Sequence, residues 1–324
     1  MKRSITRRTL MVLAAFSAAI ASPLAAQTAA SDGRDTLDKE AWLQDISQFR
    51  REVIERDAAF SEEARIKALR RLDALETRLP AVAGDYTTVT VDLAGHGRSS
   101  ADRRAWSMAA YGQDVAAVVS SLPNRRIILI GHSMGGYVAL EAARLLRGRV
   151  IGVIGVDSLQ DLDGQTTDEA GAQMLLAELR RHPQATTRRF VLETFFSEQS
   201  DPLLARRIAD DMAAAPPFVS VPSMEALMDY DPKPAASTLQ LPVVAIIGEM
   251  MPVDESAARK LVPEFRARKV PGAGHFLQVE EPAAFNAELR LAVARIEARR
   301  KGAGRDAEPR HAPIVLGGAA PAAP

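Results

Sequence analysis

Ile127-Ile128-Leu129-Ile130-Gly131-His132-Ser133-Met134-Gly135-Gly136 is the stretch on which the fold turns. Four apolar residues in succession describe a strand buried on both faces, and Met134 to about Arg147 reads as a helix. Between the two stands the pattern G-x-S-x-G, Gly131 to Gly135. The pentapeptide alone is common. A strand before it and a helix after it make it specific, because so sharp a reversal needs glycines where side chains would collide. Such a turn holds Ser133 exposed above the strand end. The helix N-terminus then points backbone N–H groups at any negative charge that develops there, and Met134 N–H is the expected oxyanion donor.

Outward from this stretch, short apolar runs alternate with longer helical ones. Tyr86–Val91, Arg126–Ile130, Arg149–Val156, Val243–Ile247 and Arg266–Val270 read as strands. Met108–Leu122, Asp254–Leu261 and Pro282–Arg299 read as helices. The alternation predicts an α/β fold with a mostly parallel sheet flanked by helices. Between Ser158 and Ser237 the helical runs are separated by prolines and no strand appears, which predicts an inserted helical cap. Nearer the N-terminus, Trp42, Ile46, Phe49 and Val53, then Ile66, Leu69, Leu72, Leu75 and Leu79, recur at helical steps and predict an antiparallel pair. The expected organisation is a signal peptide (1–26), a helical N-terminal segment (38–80), a core in two parts (85–157 and 238–300), the cap (158–237) and a disordered tail (301–324).

Composition narrows the function classes. With 324 residues and 47% hydrophobic content the chain can bury a core. Lys+Arg and Asp+Glu both total 41, so no basic excess points to nucleic acid. Cysteine is absent, which excludes disulfides, a thiol nucleophile and Cys-ligated metal. Lys2, Arg3, Arg7 and Arg8 precede an apolar run from Leu10 to about Ala21, then Pro23 and small residues. That order describes a Sec or twin-arginine export signal cleaved near Ala26, and predicts a periplasmic or extracellular protein with no membrane attachment after cleavage.

A serine hydroxyl needs a base before it attacks. Of five histidines, His311 lies in the tail and His182 in the cap beside Pro183. His275, in Gly272-Ala273-Gly274-His275-Phe276 after the last core strand, stands where a loop can bring an imidazole over Ser133. His132 and His96, one beside the serine and one in a glycine-rich loop, are expected to line the site as substrate-binding residues.

Three blocks carry a family resemblance: Asp92-Leu93-Ala94-Gly95-His96-Gly97-Arg98-Ser99, the turn Gly131–Gly136, and Val270-Pro271-Gly272-Ala273-Gly274-His275-Phe276. In this order the segment from Asp92 to about Arg299 resembles the α/β-hydrolase superfamily, in its serine esterase and lipase-like branch. The resemblance implies hydrolysis of a carboxylic ester or lactone through an acyl-enzyme, with a small-molecule ester as partner and no metal or organic cofactor. It also implies a third, acidic residue. Relatives place it after the penultimate core strand, where Met251 stands between Glu249 and Asp254, or after the strand that follows the turn helix, where Asp157 stands. Asp157, Asp254 and Glu249 are all candidates. One departure stands out: relatives carry a strand and a His-Gly loop, the source of a second oxyanion N–H, ahead of the Asp92 block. Here the helical segment replaces it, which leaves a catalytically impaired or inactive small-molecule binding protein as the alternative. In the cap, Phe195, Phe196, Phe218, Met224 and Met228 are candidates for lining a pocket or for packing the cap on the core.

Overall fold

The computed structural model describes residues 9–15, 86–96, 99, 101–103, 105–122, 126–164, 169–303 and 314–318. The helical pair expected at 38–80 lies outside them. The described strands are β1 (Thr9–Ala15), β2 (Tyr86–Asp92), β3 (Ile127–His132), β4 (Val150–Val156), β5 (Val243–Gly248), β6 (Arg266–Val270) and β7 (Ile314–Gly318). The helices are α1 (Met108–Ser121), α2 (Met134–Leu145), α3 (Glu169–Arg181), α4 (Pro183–Thr194), α5 (Pro202–Ala213), α6 (Pro217–Met228), α7 (Lys233–Ala236), α8 (Glu255–Leu261), α9 (Leu277–Glu280) and α10 (Pro282–Ala303). None of them is long and apolar enough to cross a membrane.

Pairing is parallel throughout, and β3, β4, β5 and β6 lie side by side in that order. The parallel sheet flanked by helices that the alternating runs predict is therefore present. Side chains alternate across a strand, so Ile127 and Leu129 face α1 and α2 in one core with Tyr111, Val115 and Leu140. Ile128 and Ile130 face α10 in the other, against Leu289, Val293 and Ile296. That double burial is why β3 and β5 read as unbroken apolar runs.

At the other side of β3, β2 and β3 each pair with both β1 and β7, and β1 and β7 pair with each other. β7 falls within the segment expected to be a disordered tail.

Between β4 and β5 the described chain is helical. α4, α5 and α6 each begin with proline at the first turn, where its missing N–H has no helical partner to lose. Val191, Phe196, Ile208 and Ala209 form a small core of their own, closed by Phe276.

Candidate active site

β3 ends at His132 and α2 begins at Met134, so Ser133 makes the reversal alone, at φ 53° and ψ −125°. A side chain at positive φ is strained, and surrounding bonds must hold it. Ser133 N–H donates to the Val156 carbonyl (2.9 Å), and the Ser133 carbonyl accepts Gly136 N–H (2.9 Å) and Ser158 Oγ (2.7 Å). Two glycines leave the necessary room. A Cβ on Gly131 would sit 2.0 Å from the Gly135 carbonyl oxygen, and one on Gly136 would sit 2.3 Å from Ser158 Oγ.

His275 follows β6 on a loop tied to the cap. Its N–H donates to the Phe195 carbonyl (2.9 Å), and its ring stacks on the Phe195 ring with centroids 4.0 Å apart. Nδ1 lies 2.6 Å from Asp157 Oδ2. Asp157 follows β4 directly, at φ 41°, and is buried, with its N–H donating to the Ile246 carbonyl at 2.7 Å. Its Oδ1 accepts Gly248 N–H (2.8 Å), so both carboxylate oxygens are satisfied, as a buried charge requires. The other acids are engaged elsewhere. Asp254 caps α8 by accepting Ala257 N–H, and Glu249 accepts Gly272 N–H.

Two expected substrate contacts are corrected. His132 is buried beneath the site, where Nε2–H donates to the His275 carbonyl (2.8 Å) and the ring packs near Phe276. It lines no part of the cavity and instead fixes the His275 loop. His96 is buried too, with Nδ1–H donating to the Ala94 carbonyl and its ring 6.1 Å from that of Tyr111. Burial lowers its pKa to about 4, and it does not reach the cavity. Adjacency in sequence to a reactive serine says nothing about which way a neighbouring ring points.

A cavity of about 370 Å³ opens over Ser133. Ser133, Met134, Asp157 and His275 all line it, so the structure brings these four expected residues to one place. Of the cap side chains singled out by sequence, Phe195, Met224 and Met228 line it as well. Phe196 stacks instead on Phe276, and Phe218 is 65% exposed. Sequence reasoning missed Ser158 and the Phe195 carbonyl, which act through bonds between distant segments. Among the described residues no group of three or more His, Asp or Glu side chains is placed to hold a metal ion.

Comparison with known proteins agrees with this fold. The sequence model of a family described as "Alpha/beta hydrolase family" matches residues 65–288. The chain is 25% identical over 214 residues to 3-oxoadipate enol-lactonase 2 of Acinetobacter baylyi, covering 65% of this chain and 79% of that protein. It is 29% identical over 227 residues to the pimeloyl-[acyl-carrier protein] methyl ester esterase of Edwardsiella ictaluri, covering 65% and 84%. Among solved structures, a thermophilic esterase from Thermogutta terrifontis superposes with a TM-score of 0.59 at 22% identity, over 69% of this chain and 85% of that one.

Proposed function

This chain belongs to the alpha/beta hydrolase family, and on that premise we propose that it hydrolyses a carboxylic ester or lactone through an acyl-enzyme on Ser133. One observation carries the reading. A strained serine and a histidine paired at 2.6 Å with a buried aspartate line the same cavity. With Nδ1 facing Asp157, Nε2 is the ring nitrogen left to take a proton. In the proposed reaction Ser133 Oγ attacks the ester carbonyl carbon while its proton passes to His275 Nε2. The carbonyl oxygen becomes an oxyanion beside Met134 N–H at the start of α2. Collapse breaks the acyl–oxygen bond, and the leaving alcohol takes the proton from His275. A water molecule then repeats the attack on the acyl carbon and releases the acid and free Ser133. Asp157 keeps the imidazole in the tautomer that leaves Nε2 unprotonated and stabilises the imidazolium between steps.

The names of the two curated relatives support an ester or lactone as the substrate. A fluorophosphonate probe tests the mechanism. Covalent labelling of the wild type that is lost in Ser133→Ala supports it, and no labelling of either protein moves the assignment to a non-catalytic small-molecule binder. We also propose export, from the basic and apolar leader. Cell fractionation of the full chain tests it, and a protein retained uncleaved in the cytoplasm rejects it.

A further inference from the structure

The cavity over Ser133 is walled by thioethers. Six of the ten methionines in the chain, Met134, Met212, Met224, Met228, Met250 and Met251, line it. They come from four separated segments of sequence, so no local repeat explains their convergence. Methionine is unbranched and polarisable and adapts its shape to an apolar group of any outline. α6 shows the same bias. Its sequence, PFVSVPSMEALM, carries apolar residues on every face. Val219 is buried in the protein, while Met224, Leu227 and Met228 meet the cavity. An ordinary surface helix keeps a polar face for water. This one turns Met224, Leu227 and Met228, with Ser220 and Ser223, to the cavity, leaves Phe218 65% exposed, and pairs its single charge, Glu225, with Arg180.

Charge in the cavity is one-sided. No lysine or arginine lines it among the described residues, and its acids are Asp157 and Asp161. Lys233 is not among the lining residues, although its Nζ lies 3.9 Å from where a Cβ on Gly164, at the cavity margin, would stand. A carboxylate on the substrate would lose water beside two acids with no lysine or arginine in the lining to pair it, and a buried unpaired charge is costly.

Resting on the serine-hydrolase reading above, we infer that the substrate is an uncharged ester with a flexible apolar acyl group of medium length, and that anionic esters are rejected. At roughly 30 Å³ per water-sized group, 370 Å³ holds at least a dozen non-hydrogen atoms. The ester linkage takes a few of these, which leaves room for an acyl chain of six to ten carbons. Each methylene moved from water into such a wall contributes about a fourfold gain in binding.

The test runs on the intact protein with p-nitrophenyl esters from acetyl to palmitoyl. The expected kcat/KM rises about threefold to fourfold per methylene and peaks between hexanoyl and decanoyl. Met228→Trp lowers the ratio of octanoyl to acetyl turnover at least tenfold. A maximum at acetyl with no rise along the series overturns the inference. Calorimetry on Ser133→Ala separates this inference from the serine mechanism, because binding needs no nucleophile. Methyl octanoate binding at least tenfold tighter than monomethyl suberate supports the apolar, uncharged site even where no probe labels Ser133. Equal affinities, or tighter binding of the suberate, overturn it while leaving the nucleophile assignment intact.

Discussion

Replacing Asp157 by asparagine separates the charge at that position from its shape. The amide is nearly the same size as the carboxylate, and its oxygen can keep the Gly248 N–H bond now made at 2.8 Å. What faces His275 Nδ1 is then an NH2 group in place of an acceptor at 2.6 Å. A donor there selects the imidazole tautomer with its lone pair on Nδ1 and its proton on Nε2, so the nitrogen needed to take the Ser133 proton is already occupied. The imidazolium also loses its counter-charge in a buried setting. Substitutions of this kind in serine triads lower kcat about 10⁴-fold, which is about 5 kcal/mol at about 1.36 kcal/mol per decade. The assay is kcat on a p-nitrophenyl ester with fluorophosphonate labelling in parallel, and circular dichroism to confirm that Asp157→Asn folds. Asp254→Ala is the control, since it removes an α8 cap for about 1 kcal/mol of stability and leaves kcat within about threefold. A folded Asp157→Asn with less than a tenfold loss would refute the role given to this carboxylate.

Burial holds His96 neutral down to about pH 4, whereas the unfolded chain takes a proton near 6.5. Between those values the unfolded state binds more protons, so stability falls as pH falls, by about 3 kcal/mol from this residue. Unfolding free energies from urea titrations at pH 7.5 and 4.5 should differ less in His96→Gln than in the wild type by that amount, and equal differences reject the assignment. Gly136→Ala drives a methyl into Ser158 Oγ; a loss of about 1–3 kcal/mol in urea unfolding and slower probe labelling are expected, and an unperturbed protein contradicts the packing described. A chain of residues 27–303 lacks β7, which pairs with β2 and β3, and should melt at least about 5 °C below a chain of residues 27–324. Identical melting of the two shows that the sheet draws no stability from β7.

The serine turn and the histidine loop were legible because each is dictated by local chemistry. Gly131 is demanded by a carbonyl 2.0 Å from where its Cβ would be, and His275 sits in a short glycine-rich loop after a recognisable strand. Asp157 was legible only as one of three acids, since choosing among them requires knowing which strand end lies beside His275. His132 and His96 were misread because the sequence shows neighbourhood along the chain and not the direction of a ring. Ser158 left no signal at all: its work is one hydrogen bond to the Ser133 carbonyl across 25 positions of sequence. The α/β layering, by contrast, shows in the alternation of residues such as Ile127 and Ile128 between opposite cores.

Phe195 stands at the C-terminal end of α4, yet it grips the imidazole loop twice, through its carbonyl and through its ring. The imidazole and the end of that cap helix are therefore one mechanical unit: any displacement of Phe195 would strain two attachments of the His275 loop at once.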